Sequence, residues 1–137
     1  MAVLIDSSIL IECERGRLDL AAQLSRRPDD EFFVSVVTAS ELLHGVHRAT
    51  QSDVRAKRSA FVEAVLAQFP LLDVNVANAR AHARLWADLA ATGSIIGPHD
   101  LWLAATCIAN DLAIVTANVR EFRRVPGLVV EEWPIAR

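Results

Sequence analysis

The sequence has few of the residues that mark disulfide-stabilised, zinc-binding or membrane proteins. Its two cysteines, Cys13 and Cys107, are far apart, lie in apolar helical patterns and form no CxxC pair, so we expect reduced, buried thiols. No apolar run approaches the roughly 20 residues of a membrane span, and no basic region precedes an apolar stretch at the start. We therefore expect a soluble, cytoplasmic protein with no membrane segment.

Glycine and proline are also scarce, at five each, and they are scattered. No linker, repeat or low-complexity segment appears, and 137 residues with 53% hydrophobic content indicate a single domain spanning residues 1–137. A net charge of −3 argues mildly against a protein that coats nucleic acid by bulk attraction, so any RNA contact must be local. Lys57 is the only lysine, and the many arginines offer a planar fork that suits phosphate.

Short β-rich runs alternate with longer stretches of helical period. The runs read as continuous apolar segments without a polar face, which is typical of parallel strands covered by helices on both sides. This order predicts a three-layer α/β/α domain with a mostly parallel central sheet. The expected strands are Val3–Ile5, Phe32–Val34, Pro70–Leu72, Ala113–Val115 and Leu128–Val130.

Two of the helical stretches have clear apolar faces. The stretch 77–91 is amphipathic, with Leu85, Trp86 and Leu89 on its apolar face, so we expect Trp86 in the core. The stretch 101–109 is apolar nearly all round and should be buried against the sheet. Asp100 stands at its beginning.

Carboxylates recur at the ends of the predicted strands. Asp6 follows the first strand, Glu41 falls in the first turn of the helix after the second, and Asp100 follows the Gly97-Pro98-His99 turn. Open α/β sheets bind ligands at the carboxyl ends of their strands. Asn118 and Glu121 follow a later strand in the same way, so these groups should share one edge of the fold.

Helix capping offers another interpretation of each of these residues, because helix starts favour Asp, Asn, Ser and Thr, with Glu in the first turn. Residues 38–41, Thr-Ala-Ser-Glu, fit a capping box, and residues 118–121, Asn-Val-Arg-Glu, fit one loosely. Asp6 and Asp100 could likewise cap their helices.

The set as a whole favours a metal site. Two carboxylates ~4 Å apart repel by ~4 kcal/mol at an effective dielectric near 20, so a fold that gathers several of them needs a cation. Oxygen ligands without clustered cysteines select Mg²⁺ or Mn²⁺, ions that add substrate phosphate oxygens to their shell. Such a site indicates phosphodiester chemistry.

Several segments together resemble the PIN domain, particularly the VapC toxins of type II toxin–antitoxin systems. The resemblance lies in their order and spacing and covers essentially the whole chain. The segments are residues 3–8 (VLIDSS), 38–42 (TASEL), 97–100 (GPHD) before an apolar helix, 115–122 (VTANVREF), 125–128 (VPGL) and 131–133 (EEW).

The resemblance implies a metal-dependent endoribonuclease that hydrolyses RNA phosphodiester bonds. It also implies neutralisation by a VapB-type antitoxin and a homodimeric state. Asp6, Glu41 and Asp100 match the family's acidic triad, which is both catalytic and metal-binding.

The family often has a fourth acid in the last loop, where this chain has Asn118, with Glu121 three residues later. Glu121 is therefore a candidate fourth ligand. Ser8 and Thr116 match small hydroxyl residues that orient the carboxylates, and Asn118 falls in the same supporting group. Arg120 flanks this loop and is a candidate for binding RNA.

Other arginines and histidines have alternative interpretations. Arg48, Arg55 and Arg58 lie on mid-chain helices that could contact RNA phosphates or equally form an antitoxin or dimer surface. The other arginines that could contact RNA phosphates, although most of them suit a solvated surface, are Arg80, Arg84, Arg120, Arg123 and Arg124. His44 and His47 follow Glu41 with the Glu-x-x-His spacing of di-iron bundles, but such bundles need a second copy and an all-helical frame. We expect both histidines at the surface or in packing contacts.

A non-catalytic α/β domain is the main alternative to an enzyme. A receiver-like signalling domain needs an acidic pair near the first strand and a late lysine, whereas Asp6 is followed by serines and Lys57 lies mid-chain. Position 8 is Ser8, which excludes an Asp-x-Asp phosphatase, and a nucleotide switch would need a glycine-rich phosphate loop. An inert interaction domain remains open, and RNA cleavage by the purified protein would separate it from a nuclease.

Overall fold

Five short parallel strands form the central sheet of this computed structural model, which describes residues 1–136. The strands lie in the order β3-β2-β1-β4-β5, and all four neighbouring pairs are parallel. They are β1 (Ala2–Ile5), β2 (Glu31–Ser35), β3 (Leu71–Leu72), β4 (Ala113–Val115) and β5 (Val130–Glu131). Four expected strands are found nearly where predicted, while β5 begins two residues later than expected.

The remaining elements are helices, and they form the crossover connections that parallel strands require. They are α1 (Ser7–Glu14), α2 (Leu20–Ser25), α3 (Val36–Arg48), α4 (Ser52–Gln68), α5 (Val76–Ala91), α6 (Pro98–Asn110) and α7 (Val119–Phe122). Within residues 1–136 no helix combines the length and the apolar character needed to cross a membrane.

Two hydrophobic clusters cover the two faces of the sheet. Along β1, Val3 and Ile5 belong to one cluster and Leu4 to the other, since successive side chains of a strand point to opposite faces. Residues of α1, α3 and α4 fill the first cluster, and residues of α5, α6 and α7 fill the second. The three-layer α/β/α architecture is therefore confirmed.

The order of the strands creates a switch point at the centre of the sheet. From β1 the chain moves outward to β2 and β3, then returns to place β4 on the other side of β1. Open α/β sheets bind ligands outside the carboxyl ends of the strands at such a point. Asp6 follows β1 and Thr116 follows β4, and the Asp6 amide donates to the carbonyl of Val115 at 3.0 Å.

The buried helix is confirmed, but the expectation for Trp86 is wrong. In α6, Leu101 and residues 103–107 are buried. Trp86, on α5, has 63% of its surface exposed. Helix α5 packs against α6 through Leu85 and Leu89, which belong to the second cluster, and Trp86 lies beside this contact on the solvent side.

Candidate functional site

Asp6 is held by two hydroxyl groups. It precedes α1 in the N-cap position, yet its side chain caps no backbone N–H, and only 3% of its surface is exposed. The hydroxyls of Ser8 and Thr116 each donate to Asp6 Oδ2 at 2.7 Å. These two hydroxyls in turn accept from the backbone N–H groups of Ala117 at 3.0 Å and Asn118 at 2.8 Å. Because the acceptor sides of both hydroxyls are occupied by N–H groups, their hydrogens are directed at the carboxylate.

Glu41 lies in the second turn of α3 and keeps one oxygen without a partner. Its Oε2 accepts from Ser7 Oγ at 3.4 Å and is 3.7 Å from His99 Nδ1. Its Oε1 is buried and has no hydrogen-bond partner within residues 1–136. Burial, and then the charge of Asp6, raise the pKa of the Glu41 carboxyl above its usual value.

The capping box expected at residues 38–41 is wrong. Helix α3 begins at Val36, directly after β2, and Ser35 is its N-cap, accepting from the Val37 N–H at 3.0 Å. Thr38 is therefore inside the helix and buried. Glu41 does not serve the helix start, so capping does not explain its position.

Asp100 is the third residue of α6, where the negative charges of three other acidic residues act on it. Gly97, the N-cap, has no side chain, and Asp100 accepts from the Asn118 side chain rather than from a backbone N–H of this helix start. Burial, followed by the charges of Asp6, Glu121 and Glu41, raises the pKa of Asp100 from 3.8 to about 7. Asn118 Nδ2 donates to Asp100 Oδ2 at 3.2 Å and works in the opposite direction.

Glu121 bonds to Gly97 rather than completing a capping box. Its Oε1 accepts from the Gly97 N–H at 2.6 Å, and its Oε2 accepts from Asn118 Nδ2 at 2.6 Å. The Gly97 N–H is the largest cause of the lowered pKa of Glu121. Asn118 makes no side-chain cap bond to α7, so the box expected at residues 118–121 is also wrong. Instead, Asn118 links the carboxylates of Glu121 and Asp100.

The acids influence one another without forming a closed cluster. Among residues 1–136, no three His, Cys, Asp or Glu side chains form a group that could hold a metal ion as they stand. The donors present are nevertheless oxygens, one of them the partnerless Glu41 Oε1, and hard divalent ions prefer such donors. The residues fit a hard cation in the chemistry of their donors, and the structure defines no coordination geometry.

The structure places other predicted residues as follows. Arg120 is exposed on α7, beside the loop that carries Asn118 and Glu121. His44 and His47 are exposed on α3, as expected. Cys13 and Cys107 are free thiols, half-buried and buried respectively, and burial raises the pKa of Cys13 to about 11 and that of Cys107 above its ordinary value.

Sequence reasoning missed two neighbours of Glu41. Ser7 and His99 both contact its Oε2, and His99 is 59% exposed at the mouth of the site. The signal for His99 was its place directly before Asp100, in a turn already assigned to the site. Nothing in the sequence pairs Ser7 with Glu41, because 34 residues separate them.

Comparisons with known proteins show the family of the chain. The family model of the PIN domain matches residues 3–128. Ribonuclease VapC1 of Rickettsia felis is 35% identical, with 95% of each chain covered. The tRNA(fMet)-specific endonuclease VapC of Shigella flexneri is 36% identical over 73% of this chain and 74% of that protein. A crystal structure of VapBC-5, a member of the VapBC family of toxin-antitoxin systems from Mycobacterium tuberculosis, contains a chain with a TM-score of 0.76 and 34% identity, covering 97% of this chain and 98% of that one.

Proposed function

The chain belongs to the PIN domain family, among its VapC ribonucleases, and from this premise we propose that it cleaves RNA with a divalent metal ion held by Asp6, Glu41 and Asp100. Family membership makes it an endoribonuclease and the toxin of a toxin–antitoxin pair. It leaves no place for the receiver-like or inert alternative. The ligands, the ion and the supporting residues are our assignment to this chain.

One observation carries the metal assignment. Three acidic side chains from separate elements interact electrostatically at the carboxyl end of the central strands. In addition, Glu41 has a buried oxygen that makes no hydrogen bond within residues 1–136. Like charges in partial burial are unfavourable unless a cation or proton compensates them. The raised pKa values of Glu41 and Asp100 express this missing compensation.

We assign the ion as Mg²⁺ or Mn²⁺, because the donors are carboxylate oxygens and the two cysteines of the described residues form no cluster. A bound ion of this kind lowers the pKa of an attacking water and neutralises charge on the phosphodiester. Asp6, Glu41 and Asp100 would hold the ion, and the positive charge of the ion would attract the substrate phosphate to the site.

Ser8 and Thr116 act by orienting Asp6. Their hydroxyls fix one carboxylate oxygen and leave the other free to turn toward an ion. Asn118 orients Asp100 in the same manner. Glu121 has both oxygens engaged by Gly97 and Asn118, so we assign it an indirect role through Asn118 rather than direct ligation. Arg120, exposed beside this loop, is assigned to RNA contact.

The partner is a VapB-type antitoxin, as the solved VapBC-5 complex supports. We further propose a homodimer. Trp86 and Ile95 are exposed at 63% and 74%, and together with Leu89, Ile96 and Leu101 they line an apolar hollow. Exposed apolar patches of this kind are typical of protein interfaces.

We treat residues 1–137 as one domain, since both hydrophobic clusters pack on the same sheet. As an enzyme of cellular RNA, it acts in the cytoplasm.

The test is RNA cleavage by the purified protein with Mg²⁺, with Mn²⁺ and with a chelator. Total tRNA is the first substrate, because one relative is named for a tRNA. Wild type should cleave only with metal, while Asp6→Asn should fold normally and lose cleavage, since the amide carries no charge for a hard cation. Asp73→Asn, at an exposed position in the segment before α5, is the matched control and should cleave as wild type. Full activity of Asp6→Asn, with normal Mn²⁺ binding, would contradict the assignment.

A further inference from the structure

A cleft runs along α3 away from the candidate metal site. Two adjoining hollows, of about 220 and 530 Å³, share Ile11, Glu41, His44 and Arg48 in their walls. We call the space lined by these four residues the α3 cleft. His99 and Ser7 line its end near the site, and Arg58 lines the other end.

The shape of the α3 cleft follows from helical periodicity. Glu41, His44 and Arg48 are spaced three and four residues apart, so they lie on one face of α3. Seven residues at 1.5 Å each place Arg48 about 10 Å from Glu41 along the helix axis. The cleft therefore begins at an acid and ends at an arginine.

Arg48 is the arginine of this cleft whose guanidinium makes no hydrogen bond or salt bridge within residues 1–136. Arg58 Nε is 3.5 Å from the carboxylate of Glu14, and Arg15 is 3.7 Å from that of Glu12. Arg48 is exposed, and within residues 1–136 no hydrogen bond or salt bridge reaches its guanidinium. Its fork is free to bind an anion from outside the chain.

We propose that Arg48 binds a backbone phosphate of the RNA substrate, two or three nucleotides from the cleaved bond. The inference rests on the proposed ribonuclease function. Guanidinium groups bind phosphate in a bidentate manner. A distance of about 10 Å corresponds to about three steps of a stacked strand at 3.4 Å each. Ile11, which is partly exposed, adds apolar wall against which a base can pack.

Arg48 also ends α3, where a cation interacts favourably with the helix dipole. That effect concerns stability and does not depend on RNA. The test must therefore measure a property that changes only if Arg48 contacts a phosphate. The dependence of RNA affinity on salt has this property, because each neutralised phosphate of a single strand contributes about 0.7 to the slope of log K against log salt.

The experiment measures binding of a fluorescein-labelled single-stranded RNA of mixed sequence, about 20 nucleotides long, by anisotropy between about 50 and 200 mM NaCl. Ca²⁺ replaces Mg²⁺ in these titrations, and cleavage of the same RNA is measured separately with Mn²⁺. Arg48→Gln should raise Kd by about tenfold and reduce the salt slope by about 0.7. Its kcat at saturating RNA should equal that of wild type, since the metal site is untouched. Arg48→Lys should keep the slope.

Arg84→Gln is the matched control, because Arg84 is exposed on α5, on the opposite side of the sheet from α3. Equal Kd and slope in Arg48→Gln and Arg84→Gln would overturn the inference, as would a lowered kcat with unchanged Kd. Normal RNA binding by Arg48→Gln together with lost antitoxin binding would make the cleft a protein-docking surface instead. A wild type that binds this RNA through Arg48 but never cleaves any RNA would contradict the proposed function; it would overturn the placement relative to a cleaved bond and leave only the contact between Arg48 and a phosphate.

Discussion

Replacing Asp100 by asparagine should stabilise the metal-free protein at neutral and alkaline pH. Asparagine has the same shape and can still accept from Asn118 Nδ2, so the change removes charge and little else. That charge is unfavourable, because burial and three neighbouring acids raise the pKa of Asp100 from 3.8 to about 7. The metal-free fold therefore holds an ionised Asp100 at a cost above pH 7.

The size of the effect follows from the shift. At about 1.4 kcal/mol per pKa unit, a rise from 3.8 to about 7 corresponds to at most about 4 to 5 kcal/mol. Asp100 is partly accessible to solvent, so we halve this figure and expect a gain of about 2 kcal/mol in the free energy of unfolding at pH 8.

The direction with pH is set by proton linkage. Between the unfolded pKa near 4 and the folded pKa of about 7, the folded state binds more protons, so its stability falls as pH rises through this window. The advantage of Asp100→Asn is complete above pH 7 and should shrink to less than about half by pH 5.

The assay is urea unfolding in a chelator at pH 5 and pH 8, for wild type, Asp100→Asn and Asp73→Asn. Asp73 is exposed and makes no side-chain hydrogen bond or ion pair within residues 1–136, so Asp73→Asn controls for the loss of one negative charge at the surface. With Mn²⁺ the order should reverse, because an ion bound only by the native state stabilises wild type by about 2.7 kcal/mol at a hundredfold excess over Kd, and Asp100→Asn lacks this gain. Equal stability of the two variants at pH 8, or an unchanged Mn²⁺ effect in Asp100→Asn, would refute the reasoning.

Three further changes test the surroundings of the site. Glu121→Gln should lower the free energy of unfolding in urea by about 1 kcal/mol, because the Gly97 N–H loses a charged acceptor. The same variant should weaken Mn²⁺ binding less than Asp6→Asn does. Unchanged stability and affinity would leave Glu121 without a role. Thr116→Val removes one of the two hydroxyls on Asp6, so Mn²⁺ affinity in calorimetry should fall by about tenfold or more, and an affinity equal to wild type would show that the hydroxyl does not orient the carboxylate. Trp86→Arg should leave the monomer's stability within about 0.5 kcal/mol, since this side chain is exposed, and should dissociate a dimer in light scattering; a dimer that persists would place the interface elsewhere.

The sequence by itself determined the layers of the fold and the order of its acids. Continuous apolar strands cannot be stable with a face in water, so β1 and β4 had to lie inside a parallel sheet between helices. Asp6 had to stand at the carboxyl end of β1, because it directly follows the last apolar residue of that strand. These features depend on local pattern, and local pattern can be read along the chain.

Only the tertiary structure decided which groups meet. The bond from Gly97 to Glu121 spans 24 residues, and that between Ser7 and Glu41 spans 34, so neither leaves a trace in local periodicity. Trp86 fits the apolar face of α5 in the sequence, but α5 contributes Leu85 and Leu89 to the core and leaves Trp86 63% exposed. A sequence shows which face of a helix is apolar, whereas the neighbouring elements decide which residues of that face are covered, and here they cover Leu85 and Leu89 but not Trp86.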